Sequence, residues 1–140
     1  MQGRDDLGET TLREAVAVTP DIAEVHHALG LLLARVNRLD EALVELERAS
    51  RLEPDVSRFS YVYAIALNAA ERSPEALRVL EAARRSNPHD QDILTALVTI
   101  NRDTGNRQTA LAYARELSAL RPNDPSITNL RRELEEVPNP

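Results

Sequence analysis

Apolar residues along this chain fall at helical spacing, in paired blocks separated by short polar breaks. Ile22, Val25, Ala28, Leu29, Leu32 and Leu33 form one stripe, and Ala42, Leu43, Leu46, Ala49 and Leu52 form the next. Positions i, i+3, i+4 and i+7 share one helix face, so each block predicts an amphipathic helix. The break between them, VNRLD, offers Asn37, which tolerates the left-handed conformation that ends a helix. The plan repeats in FSYVYAIALNAAE, the break ERSP and a second block. It repeats again in ILTALVTINRD, then TGN with Gly105 at the stop, then Ala110, Leu111, Ala114 and Leu117. Asp21, Ser73 and Asp124 stand where helix N-caps are expected, Asp21 with Glu24 three residues on; Pro74 and Pro125 suit a first turn.

Pro20, Pro54, Pro88 and Pro122 close these stretches, 34 residues apart each time. Proline lacks an N–H and clashes with the preceding turn, so a stop on a fixed period marks a repeated unit. The units are 23–56, 57–90 and 91–124. A partial unit, one helix over 8–20, precedes them. A terminal helix over 125–136, with Ile127, Leu130 and Leu134 on one face, follows, and 137–140 is expected to fray. The partial unit predicts an unpartnered helix and a chain that is an excerpt of a longer one.

Composition narrows the class. Apolar residues are 42% and aromatics 3%, so a core of Leu, Ala, Val and Ile in close-packed helices is expected and the fold class is all-α. All 17 basic residues are arginine, and net charge is −6. Phosphate backbones require clustered positive charge, and each arginine here has acidic neighbours, so nucleic acid and anionic membrane surfaces are not expected partners. With no cysteine, disulfides, thiolate metal sites and Cys nucleophiles are excluded. No apolar run reaches the roughly 20 residues that span a bilayer, and the N-terminus lacks a signal-peptide core. The compartment is therefore expected to be cytoplasmic or periplasmic, set by the parent chain.

The 34-residue unit resembles the tetratricopeptide repeat, a helix-turn-helix. Numbering units from Ala23, Ser57 and Gln91, the small position 8 holds Gly30, Ala64 and Val98. Position 20 holds Ala42, Ala76 and Ala110, and position 32 holds the prolines. Departures are His26, Ser60 and Leu94 at the usual Trp position, with Val98 and Asn101 in the third unit, which is expected to pack most loosely. The resemblance covers residues 8 to about 136. It implies one domain of about eight helices, an α-solenoid wound as a right-handed superhelix with a concave binding face.

That likeness further implies a groove lined by Glu24, His27, Leu31 and Arg35 from the first unit. The second contributes Arg58, Tyr61, Ile65 and Asn68, and the third Asp92, Thr95, Thr99 and Arg102. Members that grip chaperone carboxylates use Lys and Asn where this chain has His27, Leu31, Val62, Asp92 and Ala96, so binding to heat-shock chaperone tails is not expected. HHALGLLLARVNRLDEAL followed by YVYAIALN is similar to repeat segments of bacterial multihaem cytochrome-like proteins, although no C-x-x-C-H motif is present.

Candidate chemistry is sparse. Adjacent His26 and His27 point about 100° apart on a helix and make no chelating pair. His26 is expected to fill the Trp slot and His27 to face the groove. Tyr63 belongs to the core, and Tyr61 either anchors a peptide or shields the floor. Arg35, Arg58 and Arg102 either meet ligand carboxylates or pair internally. There is no nucleophile–base pair, phosphate loop or metal set, so no enzyme, cofactor or metal is expected. The expected function is a protein- or peptide-binding scaffold. The alternative is a structural or self-association module, acting through its terminal helices as a homo-oligomer or within a larger exported, cytochrome-like bacterial protein.

Overall fold

A computed structural model describes residues 2–136. The described residues form eight helices in sequence: α1 (Gln2–Val18), α2 (Ala23–Arg35), α3 (Leu39–Leu52), α4 (Ser57–Ala69), α5 (Ser73–Ser86), α6 (Gln91–Asp103), α7 (Arg107–Leu120) and α8 (Pro125–Glu135). No strand occurs among them. Each helix packs against the next, and α4 also touches α6. That is a stacked array, in which a helix meets its pair partner and the adjoining unit only. The first helix begins at Gln2, upstream of the expected 8–20 segment, and stops at Val18. The expected frayed tail, 137–140, lies outside the described residues.

The turn inside each unit is one motif used three times. Asn37 (φ 64°), Glu71 (φ 61°) and Gly105 (φ 87°) all adopt left-handed backbone, again 34 residues apart. The amide after each reaches back to a carbonyl five residues earlier: Arg38 to Leu33 (2.8 Å), Arg72 to Leu67 (2.9 Å) and Asn106 to Asn101 (2.8 Å). With the three-residue-span bonds Asn37 to Ala34, Glu71 to Asn68 and Gly105 to Arg102, these complete Schellman motifs.

Between units the prolines sit in the turn rather than at the helix end. Helix α3 is capped by Glu53, α5 by Asn87 and α7 by Arg121, and proline follows each. The Val56, Asp90 and Asp124 amides donate to the carbonyls of those caps. These are four-residue turns with proline second, where its fixed φ suits the geometry.

Two expected N-caps are displaced. Ile22, not Asp21, caps α2, and Asp21 instead stands 3.7 Å from Arg48. Arg72 caps α5, while Ser73 Oγ donates to Asn68 Oδ1 at 2.8 Å. Asp124 caps α8 as expected, accepting from the Ser126 amide at 2.9 Å. Asp90 caps α6 in the same way, accepting from the Ile93 amide at 3.0 Å.

The core runs along the seam between paired helices. Leu29, Leu33, Ala42, Leu46, Ala64, Leu67, Ala76, Leu80 and Leu97 are fully buried and contiguous. Burying one leucine contributes about 2 kcal/mol, so this row dominates the stability. At Gly30 a Cβ would stand 2.6 Å from the Leu46 side chain, showing how closely α2 and α3 approach.

The third unit is not loose. Val98, where the other units have Gly30 and Ala64, is buried with Ala110, Ala114 and Leu134. Ala114 occupies the position of Leu46 and Leu80, so bulk has moved across the seam from one helix to the other. Buried Asn101 is satisfied, its amide donating to the Leu97 carbonyl at 2.8 Å. A large-for-small exchange keeps the volume nearly constant, which cores tolerate well.

Candidate peptide-binding groove

Helices α2, α4 and α6 share one side of the array. The α2–α4 seam is marked by two contacts: His27 against Phe59, and Arg58 Nη2 to Glu24 Oε2 at 2.8 Å. Position 9 of the first two units holds Leu31 and Ile65, which are 44% and 41% exposed. Tyr61 lies one turn before Ile65, half-buried against the core. Equivalent positions of stacked units thus present apolar side chains on α2 and again on α4.

The charged rim residues are largely engaged. Arg35 pairs with Asp5 of α1. Arg58 pairs with Glu24, and its guanidinium also lies 5.1 Å above the Phe59 ring. Arg102 meets Asp103 at 3.1 Å. All three arginines thus follow the internal-pairing alternative. Such exposed pairs contribute about 0–1 kcal/mol each, and each sets an acid of this chain beside the guanidinium that a ligand carboxylate would approach.

Three expected lining residues behave differently. His27 is 2% exposed, its ring tilted against Phe59 with centroids 4.8 Å apart, and offers no surface to a ligand. Burial pushes its imidazole below the ordinary range, and the Arg58 charge adds to that. Asn68 is committed to Ser73, where it braces the turn. Thr95 turns its hydroxyl back to the Gln91 carbonyl at 2.7 Å. Thr99 is half-buried, and Glu24 and Asp92 are exposed.

His26 takes the Trp slot, as its position implies. Its Nε2 lies 2.7 Å from the Pro20 carbonyl oxygen and its Nδ1 2.7 Å from Glu45 Oε2, tying the preceding turn to α3. The two histidines therefore point into different surroundings. Among the described residues no group of three or more His, Asp or Glu side chains is placed to hold a metal.

One recess was not foreseen. Ser57, Arg58, Tyr61, Asp90 and Asp92 line a shallow hollow where the start of α4 faces the start of α6. Ser57 Oγ donates to Asp90 Oδ2 at 2.7 Å and so bridges the two units. Ser57 and Asp90 each open a helix, and only their meeting across units gives them a second role. Among the described residues no helix is long and apolar enough to cross a membrane.

A profile of the tetratricopeptide repeat matches residues 32–97. No curated protein matches the sequence. Among solved structures, MamA from Desulfovibrio magneticus RS-1 superposes with a TM-score of 0.78 at 18% identity, covering 95% of this chain and 75% of that one. PilF from Pseudomonas aeruginosa gives 0.78 at 21% identity, over 95% and 61% of the two chains. A tetratricopeptide repeat protein from Parabacteroides merdae gives 0.77 at 13%, over 95% and 52%. With the repeated Schellman turns and the stacked helix pairs, these matches place a tetratricopeptide repeat in residues 32–97 and give the chain the tetratricopeptide-repeat α-solenoid fold.

Proposed function

We propose that this chain is a non-catalytic binding module that holds a peptide or protein segment on the face formed by α2, α4 and α6. The observation that carries the reading is the exposed Leu31 and Ile65, with Tyr61 one turn from Ile65. Exposed leucine and isoleucine in register on adjacent units, flanked by an amphipathic aromatic, match the anchors that peptide grooves use. On the same face His27 is buried, and Arg35, Arg58 and Arg102 are paired within the chain.

Selection of random dodecapeptides displayed on phage, against the immobilised full chain, tests this. Leu31→Glu with Ile65→Glu should abolish binding of the selected peptides while leaving the thermal midpoint within a few degrees, because both positions are exposed. Peptides that bind this double variant as well as the wild type would exclude the groove.

A second reading, self-association through α1, is favoured by the exposure of Leu7 on that helix. Sedimentation velocity separates it: concentration-dependent dimers lost in Leu7→Glu support it, and a strict monomer eliminates it.

A further inference from the structure

Resting on that groove reading, we propose that the ligand is a cationic segment. It lays apolar side chains over Leu31 and Ile65 and places an arginine or lysine in the recess of Ser57, Tyr61 and Asp92.

The argument is one of unmatched charge. Arg35, Arg58 and Arg102 each face an acid of this chain. An incoming carboxylate would meet, beside each guanidinium, the acid already paired with it. Asp92 is exposed and makes no ion pair among the described residues. Beside it, Asp90 is held by the Ser57 hydroxyl and the Ile93 amide, two neutral donors that leave its charge uncancelled.

The recess therefore carries two carboxylates, while its one guanidinium is already matched by Glu24. The starts of α4 and α6 each contribute roughly half a positive charge, together less than the two full negative ones. A cation is the complementary ligand, and an anion is repelled.

Geometry agrees with charge. Tyr61 borders the recess and lies one turn from Ile65 on the same face of α4. A ligand lying across Leu31 and Ile65 thus ends beside Asp92. A cationic side chain there meets a carboxylate and an aromatic ring together, which suits arginine in particular.

The same displayed dodecapeptides supply the test. Fluorescein-labelled copies are titrated by anisotropy against the wild type, Asp92→Asn, Asp92→Arg and the Leu31→Glu/Ile65→Glu variant. The inference expects peptides enriched in arginine or lysine beside apolar residues. It expects binding to weaken about fivefold in Asp92→Asn at low salt, the scale of one exposed ion pair. Selection on Asp92→Arg should lose the basic preference. Peptides displaced by the Leu31/Ile65 change but lacking basic residues, or indifferent to Asp92→Asn, overturn the charge inference and leave groove binding standing. Peptides indifferent to Leu31 and Ile65, or no selection at all, overturn the groove itself. Wild-type dimers that the Leu31→Glu/Ile65→Glu change dissolves would make a second copy the occupant and would also overturn the proposal.

Discussion

The imidazole of His27 lies 4.8 Å from the ring of Phe59, tilted at 53°, where α2 meets α4. It is a titratable group in a seam built for apolar side chains, with Arg58 and Glu24 as the charges facing it. Burial is the larger cause of its lowered pKa and Arg58 the next, with Glu24 opposing both. The unfolded chain accepts a proton near the ordinary value of 6.5, whereas the folded chain resists it. Stability contributed by neutral His27 is thus full above about pH 6.5 and lost as pH falls toward the lowered folded value. Thermal midpoints measured between pH 7.5 and 5.5 should decline, and His27→Leu should flatten that decline. An unchanged slope in His27→Leu would assign the pH dependence to other groups.

Glu71 is the one unit turn closed by a residue ill-suited to left-handed backbone. Such a conformation costs a non-glycine residue about 1 kcal/mol or more. Glu71→Gly is expected to raise unfolding free energy by about 0.5–1 kcal/mol in urea titrations, despite the greater freedom of glycine when unfolded. The reverse change, Gly105→Ala, should lower it by about 1 kcal/mol.

Gly30→Ala tests the α2–α3 approach. Alanine ordinarily favours a helix interior over glycine by about 1 kcal/mol. Here its methyl group would stand 2.6 Å from Leu46 Cγ, a fully buried side chain, and 3.3 Å from the Leu46 backbone nitrogen. Overpacking costs about 1–3 kcal/mol, so the clash should prevail and the variant should be less stable by chemical denaturation. The equivalent residue Ala64 faces Leu80 without that penalty, because its unit already accommodates a methyl.

Arg107 anchors the last helix. Its guanidinium donates to the Leu134 carbonyl at 2.9 Å, to the Glu133 carbonyl at 2.6 Å, and to that of Glu136. A cation on these helix-end carbonyls opposes the negative end of the helix dipole. Arg107→Ala should cost about 1–2 kcal/mol of local stability. The loss should appear as faster hydrogen exchange in α8, with α2–α5 unaffected. Uniformly faster exchange would mean that the anchor supports the whole array.

The architecture was largely legible because it rests on spacing. Prolines 34 residues apart, Asn37 and Gly105 at the stops, and Asp124 before Pro125 each act locally. What escaped depends on contacts between units. Glu71 gives no hint of positive φ, since the Schellman bonds of its neighbours impose it. Val98 looks like a fault until Ala114, on the facing helix, is seen to have given up the same volume. His27 occupies a groove position, but Phe59 of the next unit covers it. Asp90 and Ser57 are ordinary helix-opening residues until the stacking brings them together. A single repeat encodes its own turn and seam; the surface belongs to the stack.

The pair between Arg58 and Glu24 joins equivalent positions of adjacent units and so works as a gauge of how tightly the solenoid is coiled. Its two ends separate if the units splay, while the leucine seam within each unit stays closed. Ionic strength, which screens exposed charges beyond a Debye length of about 8–10 Å, weakens this contact between units and leaves the leucine seam within each unit untouched.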